Sequence, residues 1–350
     1  MSVQPIQIKP VNVRQASQQE YEQINIVKNC LRAERLPDDP PVPLDEHIQG
    51  FQNLPPFLDF SNWVAYAPDG RTIVALGEAV VARLEENQHL GQMMIEVLPE
   101  YRRQGLARKL LALIAGVMLR ESRRLIITET SGRIPAGEAF MKALGASAGL
   151  QAHTNQLVLA DLDRDLVSEW IGRAAERAAG FELGFWDGPY PEDQLEAVSV
   201  LMEVMNQQPM GDLEVEDQHY SAKELRQIEQ MQFSRGYQRW TLYARAQETG
   251  QLAGFTDVLW NPNRPEVLQQ GNTGVFPQYR NKGLGRWLKA AMLDKVLRER
   301  AQVKFIRTGN ADANEPMLKI NNELGFKPYM SQTLWQVETQ KVQEYLEDSA

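Results

Sequence analysis

A single cysteine, Cys30, occurs in 350 residues, so no disulfide can form within the chain. With 43% apolar residues the chain can bury a large core without covalent staples. A reducing compartment, the cytoplasm, is the expectation. Histidine is almost as scarce: His47, His89, His153 and His219 lack ligand spacing with one another or with Cys30, and no metal site is expected. No apolar run approaches the roughly 20 residues that cross a bilayer. The opening "MSVQPIQIKPVNV" has neither the basic nor the apolar block of a signal peptide. Positive charge is in deficit, 37 Lys and Arg against 46 Asp and Glu, which disfavours extended binding to nucleic acid or an anionic membrane. The expectation is a soluble protein without either partner, in which only local basic clusters would meet an anion. Its oligomeric state is not readable.

What the chain does contain is a repetition. "LPEYRRQGLARKLLALI" recurs as "FPQYRNKGLGRWLKAAML", with Arg102 and Arg280 lying 178 positions apart (280 − 102). Each copy sits in the same succession of elements, which points to duplication of a whole domain rather than a short repeat. In the first copy "IQIKPVNV" reads as a strand and "QQEYEQINIVKNCL" as a helix. A proline-rich connection leads to a hairpin turning at Asp69-Gly70, then to the strand "GQMMIEVL". A helix over 107–122, the strand "RLIITET", a short helix around "GEAFMKAL" and a closing strand "QLVLADL" complete it. The second copy repeats the order from a connecting helix "LVSEWIGRAAERAAG", with its hairpin turning near Thr249-Gly250 and "SQTLWQVET" as closing strand. The predicted domains are residues 1–160 and 161–350, the connecting helix belonging to the second.

The repeated junction has a physical reading. Leu284, Trp287, Leu288, Ala291 and Met292 fall on one helical face, so the helix packs on a sheet. Its first turn leaves N–H groups unpaired at the positive end of the helix dipole. Gly283 and Gly285 leave the main chain approachable, and Arg280 and Lys282 add charge. A phosphate or pyrophosphate suits such a place. The Gly-Lys-Ser/Thr of a Walker loop is missing, and Leu288 stands where a dinucleotide fingerprint needs its third glycine.

The pattern Arg-x-x-Gly-x-Gly/Ala, preceded by a strand and Pro-x-Tyr, resembles the acetyl-CoA loop of the GCN5-related N-acetyltransferase (GNAT) family. It occurs as Arg102-Arg103-Gln104-Gly105-Leu106-Ala107 and again as Arg280-Asn281-Lys282-Gly283-Leu284-Gly285. "TGNADANEPMLKINNELGFKP" is similar to the family's later motif, whereas the first copy's "TETSGRIPAGEAFMKALGAS" has no asparagine. The resemblance implies a mixed α/β fold of two tandem domains, each a mostly antiparallel, splayed sheet flanked by helices. It implies acetyl-CoA as cofactor and transfer of its acetyl group to a primary amine of a small molecule. The alternatives are a lysine of a protein as acceptor, or a non-catalytic CoA-binding scaffold.

By the same resemblance, the main chain of 95–98 and 273–276 would hold the pantetheine arm, with Val97, Leu98, Thr273, Val275 and Phe276 as the named positions. N–H groups near Leu98 and Phe276 would polarise the thioester carbonyl. Asn310 and Asn314 would fix the cofactor, or cap a helix. Asp257 is the candidate general base in the second copy, with Glu96 as its counterpart in the first; either side chain also reads as an exposed edge residue. The family's tyrosine acid is replaced by Asn321 and Met141. Because the second copy carries both motifs, it is expected to catalyse, the first being a degenerate copy. Trp186, Trp260 and the acidic loop "GDLEVED" are weaker candidates for the acceptor side, with core packing and a solvated charge run as their plainer readings.

Overall fold

The order in which elements pair is set by where strand edges find partners, and here that order departs from the order of the chain. The computed structural model describes residues 5–348. Two compact units emerge. The first joins the described residues up to Gln151 with Met210–Glu216 and those from Ser331 onward; the second joins Ala152–Pro209 with Asp217–Met330.

In chain order the elements are β1 (Gln7–Val11), α1 (Gln18–Arg35), α2 (Leu44–Gln52), β2 (Leu58–Tyr66), β3 (Ile73–Ala82), β4 (Leu90–Val97), α3 (Leu106–Arg120), β5 (Leu125–Ser131), α4 (Pro135–Ala143) and β6 (Ser147–Val158). They continue with α5 (Arg164–Arg177), β7 (Phe181–Asp187), α6 (Leu195–Met202), α7 (Ala222–Ser234), β8 (Gln238–Ala246) and β9 (Leu252–Trp260). The last are β10 (Val267–Val275), α8 (Leu284–Glu299), β11 (Phe305–Ala311), α9 (Glu315–Glu323), β12 (Lys327–Glu338) and α10 (Thr339–Asp348).

In the first unit the sheet runs β1-β2-β3-β4-β5-β12 and is antiparallel except between β4 and β5. Pro10, which cannot donate to a ladder, sits on the edge strand β1. The capping box of Ser17 and Glu20 starts α1, and the buried stripe Tyr21, Ile24, Val27 and Leu31 lays that helix on the sheet. The β2–β3 turn is fixed by the Asp69 carboxylate, which accepts N–H bonds from Arg71 and Thr72, with Gly70 at φ +68°. The parallel contact of β4 with β5 covers only Leu90–Gln92 against Leu125–Ile127. Beyond it β4 stays with β3 and β5 stays with β12, so the two strands part.

The second unit repeats this design as β7-β8-β9-β10-β11-β6, with β10 and β11 parallel over Val267–Gln269 against Phe305–Arg307 and then diverging. Its core is a continuous cluster between the sheet and α5 and α8, including Trp170, Trp240, Leu284, Leu288 and Val296. The expected mixed α/β class and splayed antiparallel sheets are found. The closing strands are exchanged: β6, written in the first copy, closes the second unit, and β12 closes the first. Each compact unit therefore draws on residues from both sides of the expected 160/161 boundary. Helices α2 and α10 have no counterpart in the expectation. Among the described residues no helix is long and apolar enough to cross a membrane.

Candidate active site

At both junctions the backbone alternates in the way an anion nest requires. Arg103 and Gly105 adopt φ +61° and +78°, and Asn281 and Gly283 adopt +64° and +80°. The first helical bonds run from Lys109 N–H to Gly105 and from Trp287 N–H to Gly283, so the preceding turn presents its N–H groups ahead of the ladder. A side-chain carbon added at Gly105 would meet nothing within 4 Å; at Gly283 it would lie 3.4 Å from Arg177 Cβ on α5.

The basic side chains have other work. Arg102 donates from Nε to the Val97 carbonyl (3.0 Å) and from its two terminal nitrogens to Glu34 (2.7 and 2.5 Å). Arg280 repeats the first bond, to Val275 (3.0 Å). These arginines lock the loop to the end of the splayed strand. Lys282 lies over the Phe181 ring at 5.2 Å, and Gln104 donates to the Glu100 carbonyl.

In the first unit the divergence opens a cleft of about 540 Å³. Its walls are Met93–Val97 of β4, Thr128–Ser131 of β5, the turn with Arg102, Arg103, Gly105, Leu106, Ala107 and Arg108, and the α4 face carrying Phe140 and Met141. Strand register tells which main-chain groups face it. Leu98 donates its N–H to Val74 O (3.0 Å), so by alternation Ile95 and Val97 turn theirs toward the opening. Phe276 likewise donates to Ala253 O (3.0 Å), leaving Val275 and, before it, Thr273 facing the divergence of β10 from β11. Of the N–H groups near Leu98 and Phe276 expected to polarise a bound carbonyl, those of Leu98 and Phe276 themselves are bonded within the sheet, and Val97 and Val275 are the neighbours that face the divergence.

A second, water-sized pocket of about 20 Å³ lies behind β4 and shares Met94 and Glu96 with the cleft. Lys28, Asn62, Trp63, Leu76 and Glu78 also line it. Glu96 is half-buried and paired with Lys28 (3.2 Å) and Arg35 (3.6 Å), both from α1. Glu78 on β3 was not foreseen. Burial pushes its carboxyl above the usual range, the nearby Glu96 adds to the rise, and Lys28 opposes it.

The matching sheet bonds also correct a correspondence. Four residues on from Val74 is Glu78, and four on from Ala253 is Asp257, so the counterpart of Asp257 is Glu78 rather than Glu96. Glu96 corresponds instead to Gly274. Asp257 is buried, accepts the Asn272 N–H at 2.9 Å across a bulge in β10, and is pushed up to about 6 by burial, against the opposing pull of Arg239. Arg239 is itself held by Glu229 and stacked on Tyr190 at 3.6 Å. The signal that could have found Glu78 was an acid inside the otherwise apolar strand "IVALGEAVVA".

The second unit differs at the positions that make the first one open. A side-chain carbon on Gly274 would lie 2.5 Å from Val204, which packs with Leu201 and Phe255. Asn310, Asn321 and Lys289 form a chain, Lys289 Nζ to Asn321 Oδ1 (2.7 Å) and Asn321 Nδ2 to Asn310 Oδ1 (2.8 Å). Burial lowers Lys289 to about 7. Asn314 caps α9 through Met317 N–H (3.4 Å). Trp186 and Trp260 are buried in the core, and the acidic loop belongs to the first unit, where Glu214 pairs with Arg124 (2.6 Å) and Glu216 accepts the Asn87 N–H.

Two splayed sheets, each with a glycine-opened turn at the head of a helix, give the chain a tandem α/β architecture. The chain belongs to the acetyltransferase (GNAT) family, whose model matches residues 27–146 and 203–326. It is similar to a tandem GNAT protein from the clavulanic acid biosynthesis pathway, solved without AcCoA: 25% identity, 96% of this chain and 99% of that one covered, TM-score 0.77. A GCN5-related N-acetyltransferase from Sphaerobacter thermophilus shares the fold at 12% identity, with 96% and 97% covered and a TM-score of 0.64. A glucosamine N-acetyltransferase region of a fungal multi-domain GH3 β-N-acetylglucosaminidase does so at 13%, with 96% and 38% covered and a TM-score of 0.64. No curated protein matches the chain. Family membership carries acyl transfer as the general activity.

Proposed function

We propose that the chain is an acetyl-CoA-dependent N-acetyltransferase acting on the primary amine of a small molecule, and that the first unit performs the chemistry. This assigns the work to the copy that the motifs alone make the weaker. The observation that carries it is Glu96, which borders both the large cleft and the small pocket behind β4. A carboxylate that borders the cofactor cleft and a small pocket able to take an amine nitrogen suits acyl transfer; in the second unit that position is Gly274, with Val204 packed against it.

The residues present fit coenzyme A. The nest of Arg103–Ala107 offers N–H groups to a diphosphate, and nothing stands over Gly105 to obstruct it. Ile95 and Val97 present main-chain groups along the cleft, as an added strand would require. When bound, acetyl-CoA supplies an activated acyl group. An amine nitrogen reaching the water-sized pocket meets Glu78, whose raised carboxyl suits a base working nearer neutrality, while Glu96, paired with Lys28 and Arg35, orients the ammonium. Met141 lines the cleft where the family's tyrosine would stand. A thiolate with a pKa of about 8.5 is a tolerable leaving group without it.

Titration of acetyl-CoA by calorimetry, together with thiol release across a panel of small amines and amino sugars, tests the reading. Binding accompanied by amine-dependent release is expected. Binding with no release above hydrolysis across the panel contradicts it.

A further inference from the structure

The C-terminal helix α10 is docked on the first unit at both ends. At its start the Thr339 hydroxyl donates to Arg123 O (2.6 Å) and its N–H to Arg124 O (2.8 Å). At its last turn Leu346 O accepts from Arg108 (2.7 Å), a residue in the first turn of α3, directly behind the nest. The helix therefore runs antiparallel to α3 and delivers its last turn to the nest. There Tyr345 lines the cleft and meets Phe140 of α4 edge to face, with ring centroids 6.5 Å apart and planes at 89°.

The cleft has two kinds of wall. Toward the parting strands it is walled by main chain, suited to a linear amide arm. Its other walls are α4 and α10, with Phe140, Ala143 and Tyr345, and the first turn of α3 with Arg108. The helix turn that carries the nest also holds Arg108, so a diphosphate seated there has the aromatic corner of Phe140 and Tyr345 in the wall of the same cleft. Half-buried aromatic faces beside a phosphate site are what a nucleobase stacks on. In the second unit the helix packed on α8 is α5, and it brings Arg177 rather than an aromatic ring toward the nest.

We infer that Tyr345 is the platform for the adenine of coenzyme A in the first unit's cleft, so that the last helix of the chain completes the nucleotide half of a site whose other walls come from residues 31–143. The inference rests on the CoA reading above. Tyr345 is assigned to binding, not to proton transfer: its ring meets Phe140, and the next residue, Leu346, is held by Arg108 in the turn behind the nest.

The test uses the full chain and two probes, coenzyme A and 4′-phosphopantetheine, which lacks the nucleoside. Tyr345→Leu keeps apolar packing and removes the stacking face; Tyr345→Phe keeps the face. By calorimetry, Tyr345→Leu is expected to weaken coenzyme A about tenfold while leaving 4′-phosphopantetheine unchanged, and Tyr345→Phe to match the parent for both. Equal coenzyme A affinity in parent and Tyr345→Leu overturns the inference and leaves the CoA reading standing. So does an equal loss for both probes, which marks a packing role. A parent chain that binds no coenzyme A sinks both readings. A fall in turnover number for Tyr345→Phe at saturating donor, with affinity retained, replaces the binding role by a proton-transfer one.

Discussion

Glu78 and Asp257 are the same position in two copies, and their surroundings give them opposite fates. Glu78 borders a pocket with Lys28 and Glu96; Asp257 is enclosed, bonded to the Asn272 N–H. Both carboxyls lie above their unfolded values, so each adds stability below about pH 4 that is lost as pH rises through its folded pKa. Glu78→Gln and Asp257→Asn should therefore both melt higher than the parent at pH 7.5 and no higher at pH 4. Turnover separates them. Glu78→Gln should lose on the order of 10²-fold or more in kcat/KM and remove the acidic limb, which in the parent rises with pH through a value above the ordinary glutamate range. Asp257→Asn should keep both. An unchanged profile in Glu78→Gln contradicts its role as base. The sequence singled out Asp257 but not Glu78, because pairing the copies by their loops hides a one-residue offset at β3 and β9 that only the strand bonds reveal.

The nests and diverging strands were legible at the level of elements, since glycine at positive φ, the Pro-x-Tyr entry and the helical stripe are local features. The exchange of closing strands was not. "QLVLADL" and "SQTLWQVET" have the same alternating pattern, and alternation tells which face of a strand is buried without naming its neighbour. The use of α10 followed from that exchange and was equally hidden. A chain ending at residue 160 keeps β5 but lacks β12, leaving an unpaired central edge beside the cleft. Such a piece is expected to aggregate or remain partly unfolded, and adding the segment 331–350 through a linker should rescue a cooperative melt. A well-folded, monomeric 1–160 piece with a sharp transition would contradict the exchange.

Taken whole, the molecule carries two copies of one glycine-opened junction, of which one has a cleft beside the Glu96 carboxylate, while the other has Val204 packed on the matching Gly274 and carries an Asn310–Asn321–Lys289 chain. Motif completeness favoured the second copy because an asparagine is visible in sequence, whereas the space in front of it is not. The decisive comparison is amine-dependent thiol release from acetyl-CoA by Gly105→Glu and by Gly283→Glu, with folding of each verified by its melting curve. A glutamate at residue 105, at φ +78°, puts negative charge and backbone strain into the first nest. Loss of at least tenfold in kcat/KM is expected for Gly105→Glu, with turnover largely retained in Gly283→Glu. Turnover retained in Gly105→Glu and abolished in Gly283→Glu would place the chemistry in the second unit and contradict the account.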